Sequence, residues 1–313
     1  MPEYKILITD GLEERGQALL RTAANVDDRN GISADELLEV IDRYDAIIVR
    51  SRTKVTSQVI DAASQLKVIG RAGVGVDNID LEAAGARGIA VLNTPTSTSI
   101  AVAELTLALM LALARSIPRA DTAAKSGEWI KKSLSGVELY QKTLGILGMG
   151  NIGKEVAQRA TAFGMSVIAY DPLISDFEIQ QRGAEPVPLP ELYNRSDFIS
   201  IHVPLTPETR GMIGKQVFQS MKRGVRLVCD ARGGVIDEQA LLEALESGQV
   251  AGAALDVFSK EPPGKTELIA HPNLIATPHI GAQTEEAQLR AAEDIAAEVL
   301  SALNGDTVRW RVV

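Results

Sequence analysis

Short β-branched runs alternate with amphipathic helical patterns twice along the chain, and this alternation leaves few possible folds. The first hundred residues contain the runs YKILIT, DAIIVR, KVIGRA and IAVLNT. The alternation begins again near Leu144, with the runs TLGILG, SVIAYD, FISIHV, RLVCDA, GAALDV and LIATPH. Apolar strands that alternate with helices are typical of parallel sheets covered by helices. The sequence therefore predicts an α/β protein with two doubly wound parallel-sheet domains.

The length of 313 residues also favours two domains, because single hydrophobic cores stop growing at about 250–300 residues. A long apolar helix is predicted from Ile100 to Ala114, and an amphipathic helix from Thr284 to Leu303 can return to the first domain. We expect boundaries near Ser99 and Gln283. Residues 1–99 and 284–313 would form one discontinuous domain, and residues 100–283 the other.

Two local predictions can be checked directly. Ser33 and Glu36 have the spacing of a capping box, which predicts a helix start. The segment PVPLPELYNRSD, residues 186–197, predicts only a surface loop.

Composition excludes several classes of function. The formal net charge of -9 and the pI near 5.0 argue against a nucleic-acid or anionic-membrane partner. The run from Ile100 to Ala114 contains Glu104 and is too short to span a bilayer, and the first residues lack a signal-peptide pattern. Cys229 is the single cysteine and there are three histidines, so no metal site is predicted. A cytoplasmic location is expected.

A glycine-rich motif lies between a predicted strand and a predicted helix. It reads Gly148, Met149, Gly150, Asn151, Ile152 and Gly153. With an acid about 20 residues further on, here Asp171, this context is the dinucleotide-binding fingerprint. The Asp171 carboxylate would accept hydrogen bonds from ribose hydroxyls and repel a 2′-phosphate, and the next arginine is Arg182. The motif therefore favours NAD over NADP, and the alternative is a tight turn without a ligand.

Polar residues follow the predicted strands of the second domain, where open α/β sheets bind ligands. His279 is a candidate base for a hydroxyl proton, Glu261 can orient its ring, and Arg232 can bind a carboxylate and polarise a carbonyl. These types suit hydride transfer from a 2-hydroxy acid. Each has a plain alternative as a surface or strand-end residue, and neither His202 nor His271 is assigned the base role.

In the first domain, Arg50 and Arg71 each close a predicted strand, so both side chains should emerge at one sheet edge. The neighbouring AGVGV segment offers backbone amides around Val74 and Gly75 that suit a carboxylate. A doubly anionic substrate is expected, and the alternative is a pair of solvated surface arginines.

Several segments resemble the D-isomer-specific 2-hydroxyacid dehydrogenases across nearly the whole chain. They are VRSRTKVT, GRAGVGVDNID, LGMGNIG, HVPLTPETRGMI, ARGGVIDE, ALDVFSKEPP and TPHIGA. The resemblance implies a flavodoxin-like substrate domain and a Rossmann NAD-binding domain with a cleft between them. It also implies catalytic roles for Arg232, Glu261 and His279, which agrees with the chemical argument.

Further site residues are implied by the resemblance alone. Asp256 would lie near the nicotinamide amide, and the amides of Met149, Asn151 and Ile152 would hold the pyrophosphate. Residues expected to line the adenine side are Val203, Pro204 and Thr209. One departure concerns the nicotinamide side: the family often has asparagine three residues before the arginine, whereas this chain has Cys229 followed by Asp230.

The resemblance points to members that oxidise D-3-phosphoglycerate in serine biosynthesis, because Arg50 and Arg71 match positions that contact this substrate. Alternatives are a glyoxylate or hydroxypyruvate reductase and, in another class, an NAD-sensing corepressor. A homodimer is expected, since a region with Trp129 beside Lys131 and Lys132 follows the long helix. Because the sequence ends at Val313 just after the last predicted helix, regulation by an appended serine-binding domain is not expected.

Overall fold

The computed structural model describes residues 4–313 and contains two compact units. One comprises Met1–Ser99 and Ala282–Val313, and the other comprises Ile100–Gly281. The first unit has a five-stranded sheet and the second a seven-stranded sheet, and all strand pairs within them are parallel. The predicted fold class of two parallel-sheet α/β domains is therefore confirmed.

The sheet of the first unit has the strand order β2-β1-β3-β4-β5, which is the flavodoxin-like order. Its strands are β1 Tyr4–Ile8, β2 Ala24–Asp28, β3 Ala46–Val49, β4 Val68–Arg71 and β5 Ala90–Leu92. Its helices are α1 Glu14–Arg21, α2 Ala34–Val40, α3 Ser57–Ala62 and α4 Leu81–Ala86, with a 3₁₀ turn at Ile41–Arg43 and the C-terminal helix at Glu285–Asn304. The edge strand β2 escaped prediction because its sequence, ANVDD, is largely polar and mostly solvent-accessible.

Local patterns correctly predicted two helices of this unit. The Ser33 hydroxyl accepts a hydrogen bond from the Glu36 amide, and the Glu36 carboxylate accepts one from the Ser33 amide, so the capping box forms. The C-terminal helix buries Ile295 and Val299 in a cluster with Ile6 and Ile8 of β1. This apolar face explains why residues so late in the chain join the first sheet.

The sheet of the second unit has the order β12-β11-β10-β9-β6-β7-β8, in which the six strands from β8 to β11 repeat the dinucleotide-binding order. The strands are β6 Thr143–Leu147, β7 Ser166–Tyr170, β8 Glu185–Pro186, β9 Phe198–Ile201, β10 Val225–Cys229, β11 Val250–Leu255 and β12 Leu274–Ala276. The helices are α5 Ser99–Arg115, α6 Ile117–Lys125, α7 Asn151–Ala162, α8 Asp176–Gln181, α9 Leu189–Arg195, α10 Lys215–Ser220, α11 Glu238–Glu246 and α12 Glu267–Ala270, with a 3₁₀ turn at Lys131–Ser133.

The prediction that residues 186–197 form only a surface loop is wrong. The segment contains α9, whose Leu192 and Tyr193 are buried in the core of the second unit. Pro190 misled the prediction, because proline is tolerated in the first turn of a helix, where the missing amide has no intrahelical partner.

The apolar run from Ile100 to Ala114 forms most of α5 and buries Ala103 and Met110. Across residues 4–313, no single helix is both long enough and apolar enough to cross a membrane. The pair formed by α5 and α6 reaches that length only across a bend of 64°.

Candidate active site

The glycine-rich motif forms the turn from β6 into α7. Gly148 has a φ of 88°, and a Cβ atom there would lie 2.8 Å from the His202 carbonyl oxygen. A Cβ on Gly153 would clash with the Gly148 carbonyl oxygen, so the helix packs closely against the turn. By contrast, a Cβ on Gly150 would meet no atom within 4 Å. Close packing therefore requires glycine at positions 148 and 153, whereas the space next to Gly150 is open.

This open side lies at the beginning of a twelve-residue helix. Gly150 occupies the N-cap position of α7 and has no side chain to accept hydrogen bonds from the amides of the first turn. A helix start of this kind favours anions through its amides and its dipole. The turn therefore fits the pyrophosphate of a dinucleotide.

Asp171 follows β7 and lies against the glycine-rich turn. Its carboxylate accepts hydrogen bonds from the amides of Met149 and Leu173, both at 2.9 Å. Tyr170, Asp171, Pro172, Ile174 and several residues around β8 line an adjoining cavity of about 360 Å³. The acidic residue of the fingerprint is thus held beside the glycine turn.

Arg182 also reaches this turn, which sequence distance alone did not indicate. Its Nη1 donates a hydrogen bond of 2.6 Å to the Met149 carbonyl oxygen. The contact depends on the packing of α8 beside β7, and no local sequence signal announces it.

The loop after β9 carries the three residues expected on the adenine side. Val203 lies beside Gly148, since a Cβ there would be 3.1 Å from Val203 Cγ1. The Thr209 hydroxyl donates to the Pro204 carbonyl oxygen at 2.6 Å and accepts a hydrogen bond of 2.8 Å from the Thr206 amide. These bonds hold the loop compactly at the same sheet edge.

Glu261 and His279 form a direct contact at the other side of this edge. Their Oε2 and Nδ1 atoms are 2.8 Å apart, and both side chains are partly exposed. The second oxygen of Glu261 accepts a hydrogen bond from the Phe258 amide at 3.1 Å. His279 has a φ of 56°, which is uncommon for a residue with a side chain and is often found at functional sites. The Phe258 amide therefore orients the Glu261 carboxylate, and this carboxylate orients the imidazole of His279.

A buried carboxylate holds the loop that carries His279. Asp256 is 0% exposed and accepts hydrogen bonds from the Thr277 hydroxyl and from the amides of Ile280 and Gly281, at 2.6–2.9 Å. Three donors to one buried carboxylate make a rigid support, because breaking any of them leaves a buried polar group unsatisfied. Asp256 thus positions the backbone on both sides of the imidazole.

Arg232 leaves the same sheet edge one strand away from Glu261. It follows β10, and β10, β11 and β12 are neighbours in the sheet. A Cβ on Gly233 would clash with the Phe258 carbonyl group, so the loop after β10 touches the loop that leads to Glu261. The half-buried Arg232 donates from Nη1 to the Ala231 carbonyl oxygen at 2.6 Å.

A buried polar cluster lies just before Arg232. Asp230 Oδ1 is 3.2 Å from His202 Nδ1, and the other Asp230 oxygen accepts a hydrogen bond from the Thr106 hydroxyl. The His202 side chain is 1% exposed, which favours a structural role. Burial raises the pKa of the neighbouring Cys229 to about 12, so this thiol stays protonated at neutral pH and fills the core.

In the first unit, Arg50 follows β3 and Arg71 ends β4. Val49 and Arg71 are partners in the register of these neighbouring strands, so the two arginines lie at one sheet edge. Burial lowers the pKa of Arg50, against the attraction of Glu13 and Asp10. Within residues 4–313, Arg50 forms no ion pair. Its positive charge is therefore desolvated without a bound carboxylate.

Asp10 organises the backbone of this edge. Its carboxylate accepts hydrogen bonds from the Arg50 amide at 2.8 Å and from the Thr53 amide and hydroxyl, and it pairs with Arg52 at 3.0 Å. Burial by itself would raise the pKa of Asp10, but these bonds and the Arg52 charge outweigh burial and lower it.

The amides of Val74 and Gly75 remain available at this edge. They donate to no acceptor in the part of the chain that the structure describes, while the Val74 carbonyl accepts from Asn93 at 2.7 Å.

Comparison with known proteins agrees with this geometry. Residues 107–281 match the family model for the NAD-binding domain of the D-isomer-specific 2-hydroxyacid dehydrogenases. A D-3-phosphoglycerate dehydrogenase from Methanocaldococcus jannaschii is 51% identical over 96% of this chain and 58% of its own length. The human protein of that name is 48% identical over 97% of this chain and 57% of its own length. The chain thus spans a little over half the length of these curated relatives.

Solved structures that cover whole chains are also similar. A glyoxylate reductase from Paecilomyes thermophila superposes with a TM-score of 0.92 at 34% identity, covering 100% of this chain and 99% of that one. A D-lactate dehydrogenase from Aquifex aeolicus, solved with NAD and lactic acid, has a TM-score of 0.85 at 30% identity and 96% coverage of both chains. With the family model matching more than half of its residues, the chain belongs to the D-isomer-specific 2-hydroxyacid dehydrogenases, and its second unit is the NAD-binding domain of that family.

Proposed function

We propose that this chain oxidises D-3-phosphoglycerate to 3-phosphohydroxypyruvate with NAD, as a step of serine biosynthesis in the cytoplasm. The observation that carries the proposal is the 2.8 Å contact between Glu261 and His279 at the edge that also holds the glycine-rich turn. The names of the curated relatives at 47–51% identity support the choice of substrate.

NAD would bind along the carboxyl-terminal edge of the seven-stranded sheet. The amides of Met149, Asn151 and Ile152 would hold the pyrophosphate, and Asp171 would accept hydrogen bonds from the ribose hydroxyls. The adenine side would be lined by Val203, Pro204 and Thr209. NAD held in this way would supply the acceptor for the hydride removed from C2 of the substrate.

His279 would be the base. With Glu261 accepting a hydrogen bond from Nδ1–H, the Nε2 lone pair is available to take the proton of the substrate hydroxyl. The Glu261 carboxylate would then stabilise the imidazolium that forms. Arg232 would bind the substrate carboxylate and polarise the forming carbonyl oxygen. Asp256 would lie near the nicotinamide amide and would also hold the loop that carries His279, through its bonds to Thr277, Ile280 and Gly281.

Residues 1–99 and 284–313 would form the substrate domain, and residues 100–283 the cofactor domain. Arg50 and Arg71 would bind the phosphate of the substrate, because Arg50 is partly desolvated and has no carboxylate partner within the described residues. The amides of Val74 and Gly75 would contribute to carboxylate binding.

The test compares 3-phosphoglycerate, D-glycerate and D-lactate with NAD and NADP, in the wild type and in Arg50→Glu. We expect 3-phosphoglycerate with NAD to be preferred, and Arg50→Glu to lower kcat/KM for this substrate about 100-fold through lost charge-assisted bonds. The kcat/KM for D-glycerate should change less than about twofold. Arg43→Glu is the matched control, since Arg43 lies before β3 and is largely exposed.

The same panel separates the other candidates. The similarity to a solved glyoxylate reductase makes preference for glyoxylate or hydroxypyruvate the main competitor. An Arg50→Glu variant that keeps its kcat/KM for 3-phosphoglycerate within twofold would contradict the phosphate assignment. Binding of NAD without turnover of any D-2-hydroxy acid would indicate a sensor.

We also propose a homodimer formed through the cofactor domain. Trp129 is 87% exposed and Ile117 is 53% exposed, next to the exposed Lys131 and Lys132. An aromatic anchor of this kind is typical of interfaces. Light scattering at micromolar concentration should give twice the mass of the chain, and a monomer would contradict the proposal.

A further inference from the structure

The amino-terminal edge of the seven-stranded sheet contains a second cavity, of about 120 Å³, where β6, β9 and β10 begin. Its lining includes Lys142, Lys222, Arg223 and Arg226, together with Asp197 and Phe198. Because all strands are parallel, this edge lies opposite the glycine-rich turn and His279. Strands of four or five residues, at about 3.3 Å per residue, separate the two edges by roughly 13–16 Å.

The cations of this cavity outnumber its acids. Asp197 is the single carboxylate in the lining. It is already bound by Lys222 Nζ at 2.6 Å and by the Thr143 amide at 2.9 Å. Lys142 forms no ion pair with any residue of the range 4–313. The cavity is therefore a local positive site in a chain of net charge -9.

Arg226 is the most confined of these cations. Its guanidinium lies over the Phe198 ring, 5.6 Å from the ring centroid, and its Nη1 makes only a long contact of 3.5 Å with the Gly224 carbonyl oxygen. Burial lowers the pKa of Arg226, because the attraction of Asp197 does not make up for the lost hydration. Since the ordinary value is 12.5, the group stays charged at neutral pH. A bound anion would supply the compensation that the protein does not.

We propose that this cavity is an anion site, separate from the catalytic edge, that binds a phosphoryl group, either inorganic phosphate or a phosphomonoester. The volume of about 120 Å³ is several times the roughly 10–15 Å³ that one water molecule needs, so the cavity has room for a group of five heavy atoms. Arg226 offers a planar fork of donors and Lys142 a compact charge, the two side-chain types that commonly bind phosphate. The overall negative charge of the chain and the small size of the cavity disfavour a nucleic acid.

The test measures the rate at which an amine reagent modifies Lys142, by mass spectrometry of the full chain at constant ionic strength. Inorganic phosphate up to about 20 mM, enough to saturate a site of millimolar affinity, should slow this modification about tenfold. Lys215 is the control, because its amine already pairs with Glu243 at 2.8 Å on the surface and should react at an unchanged rate. A parallel experiment uses glycerol phosphate in place of inorganic phosphate. Whichever compound protects Lys142 at the lower concentration shows whether the site prefers a phosphomonoester or the free ion.

Arg226→Gln should remove the protection of Lys142, and Arg226→Lys should restore part of it. If Arg226→Gln does not fold, Arg223→Gln replaces another cation of the lining, and the protection of Lys142 by phosphate should weaken in that variant. Equal Lys142 rates with and without both phosphates, or undiminished protection in folded Arg226→Gln, would overturn the proposal. Because the readout is local to Lys142, the result does not depend on the function proposed for Arg50 or His279.

Discussion

The carboxyl-terminal edges of the two sheets are built in different ways. At the edge of the seven-stranded sheet, Glu261 and His279 contact each other, and buried Asp256 anchors the loop that carries His279. At the edge of the five-stranded sheet, Arg50 has no ion-pair partner within residues 4–313, and its pKa is lowered by burial.

The two edges therefore differ in whether their charged side chains are already paired, and this difference bears on the roles proposed for them. Side chains that are already paired and oriented are suited to a catalytic role, because they need little reorganisation when the substrate reacts. A desolvated cation without a counterion is suited to substrate recognition, because its charge is compensated only when an anionic substrate group binds. We therefore expect substitutions at the edge of the seven-stranded sheet to lower kcat. Substitutions at the edge of the five-stranded sheet should change substrate affinity or stability.

The largest effect is expected at His279. Replacing it by asparagine would remove the proposed base, and kcat for 3-phosphoglycerate should fall about 10³- to 10⁴-fold, at the upper range of general acid–base contributions. Initial rates of NADH formation at saturating substrate measure this, and NAD affinity from fluorescence titration serves as the control. A fall in kcat of less than about tenfold, with unchanged NAD affinity, would contradict the proposed role of His279 as the base.

A smaller effect is expected at Glu261, because its proposed role is to act through the imidazole of His279. In Glu261→Gln, the amide would not supply the negative charge proposed to stabilise the imidazolium, and kcat should fall about 10- to 100-fold. Glu267→Gln, an exposed acid on α12, is the matched control and should leave kcat unchanged. Equal kcat values for the two variants would show that the 2.8 Å contact has no part in catalysis.

At the five-stranded edge, Asp10→Asn should affect stability. The pKa of the Asp10 carboxyl lies below its ordinary value of 3.8 in the folded chain, so its contribution to stability is present above that value and is lost as the pH falls below it. At pH 7 the variant should lose about 1–3 kcal/mol of unfolding free energy, through unsatisfied buried donors. Urea unfolding at pH 7 and near pH 3 measures both values.

The difference between the wild type and Asp10→Asn should shrink at the lower pH. Asp42→Asn is the control, because that side chain is exposed and makes only a 3.8 Å contact with Arg43. A difference that is as large near pH 3 as at pH 7 would argue against a role for the Asp10 charge.

The smallest effect is expected at Cys229. With a pKa of about 12, only about one thiol in 10⁴ is ionised at pH 8, so thiol reagents should react slowly with the folded chain and fast after unfolding. Cys229→Ala should keep kcat within about twofold, since the thiol supplies no chemistry. Fast labelling of the native chain would show that the region before Arg232 opens.

Much of the fold follows from local patterns. The alternation of apolar runs with helical segments predicts both parallel sheets, and the capping box at Ser33 forms as expected. The strands β2 and β8 and the helix α9 were missed, because a polar edge strand, a two-residue strand and a helix beginning among prolines carry weak local signals. These elements are stabilised by their neighbours rather than by their own composition.

The candidate site likewise contains some features that the sequence predicts and others that it does not. Asp171 is recognisable from its spacing after the glycines, but the contact of Arg182 with Met149 is not, because it depends on how α8 packs. The buried cluster of His202, Asp230 and Thr106 joins three distant segments and has no signature of its own.

Periodicity and short spacings in the sequence are enough to predict the two α/β units, the dinucleotide turn and the residue types at the strand ends. Three features become visible only in the folded chain: Glu261 reaches His279, Asp256 turns inward to hold the loop, and four cations surround a cavity at the opposite sheet edge. The physical reason is that such contacts depend on strand order and side-chain packing, which bring together residues that no local pattern connects.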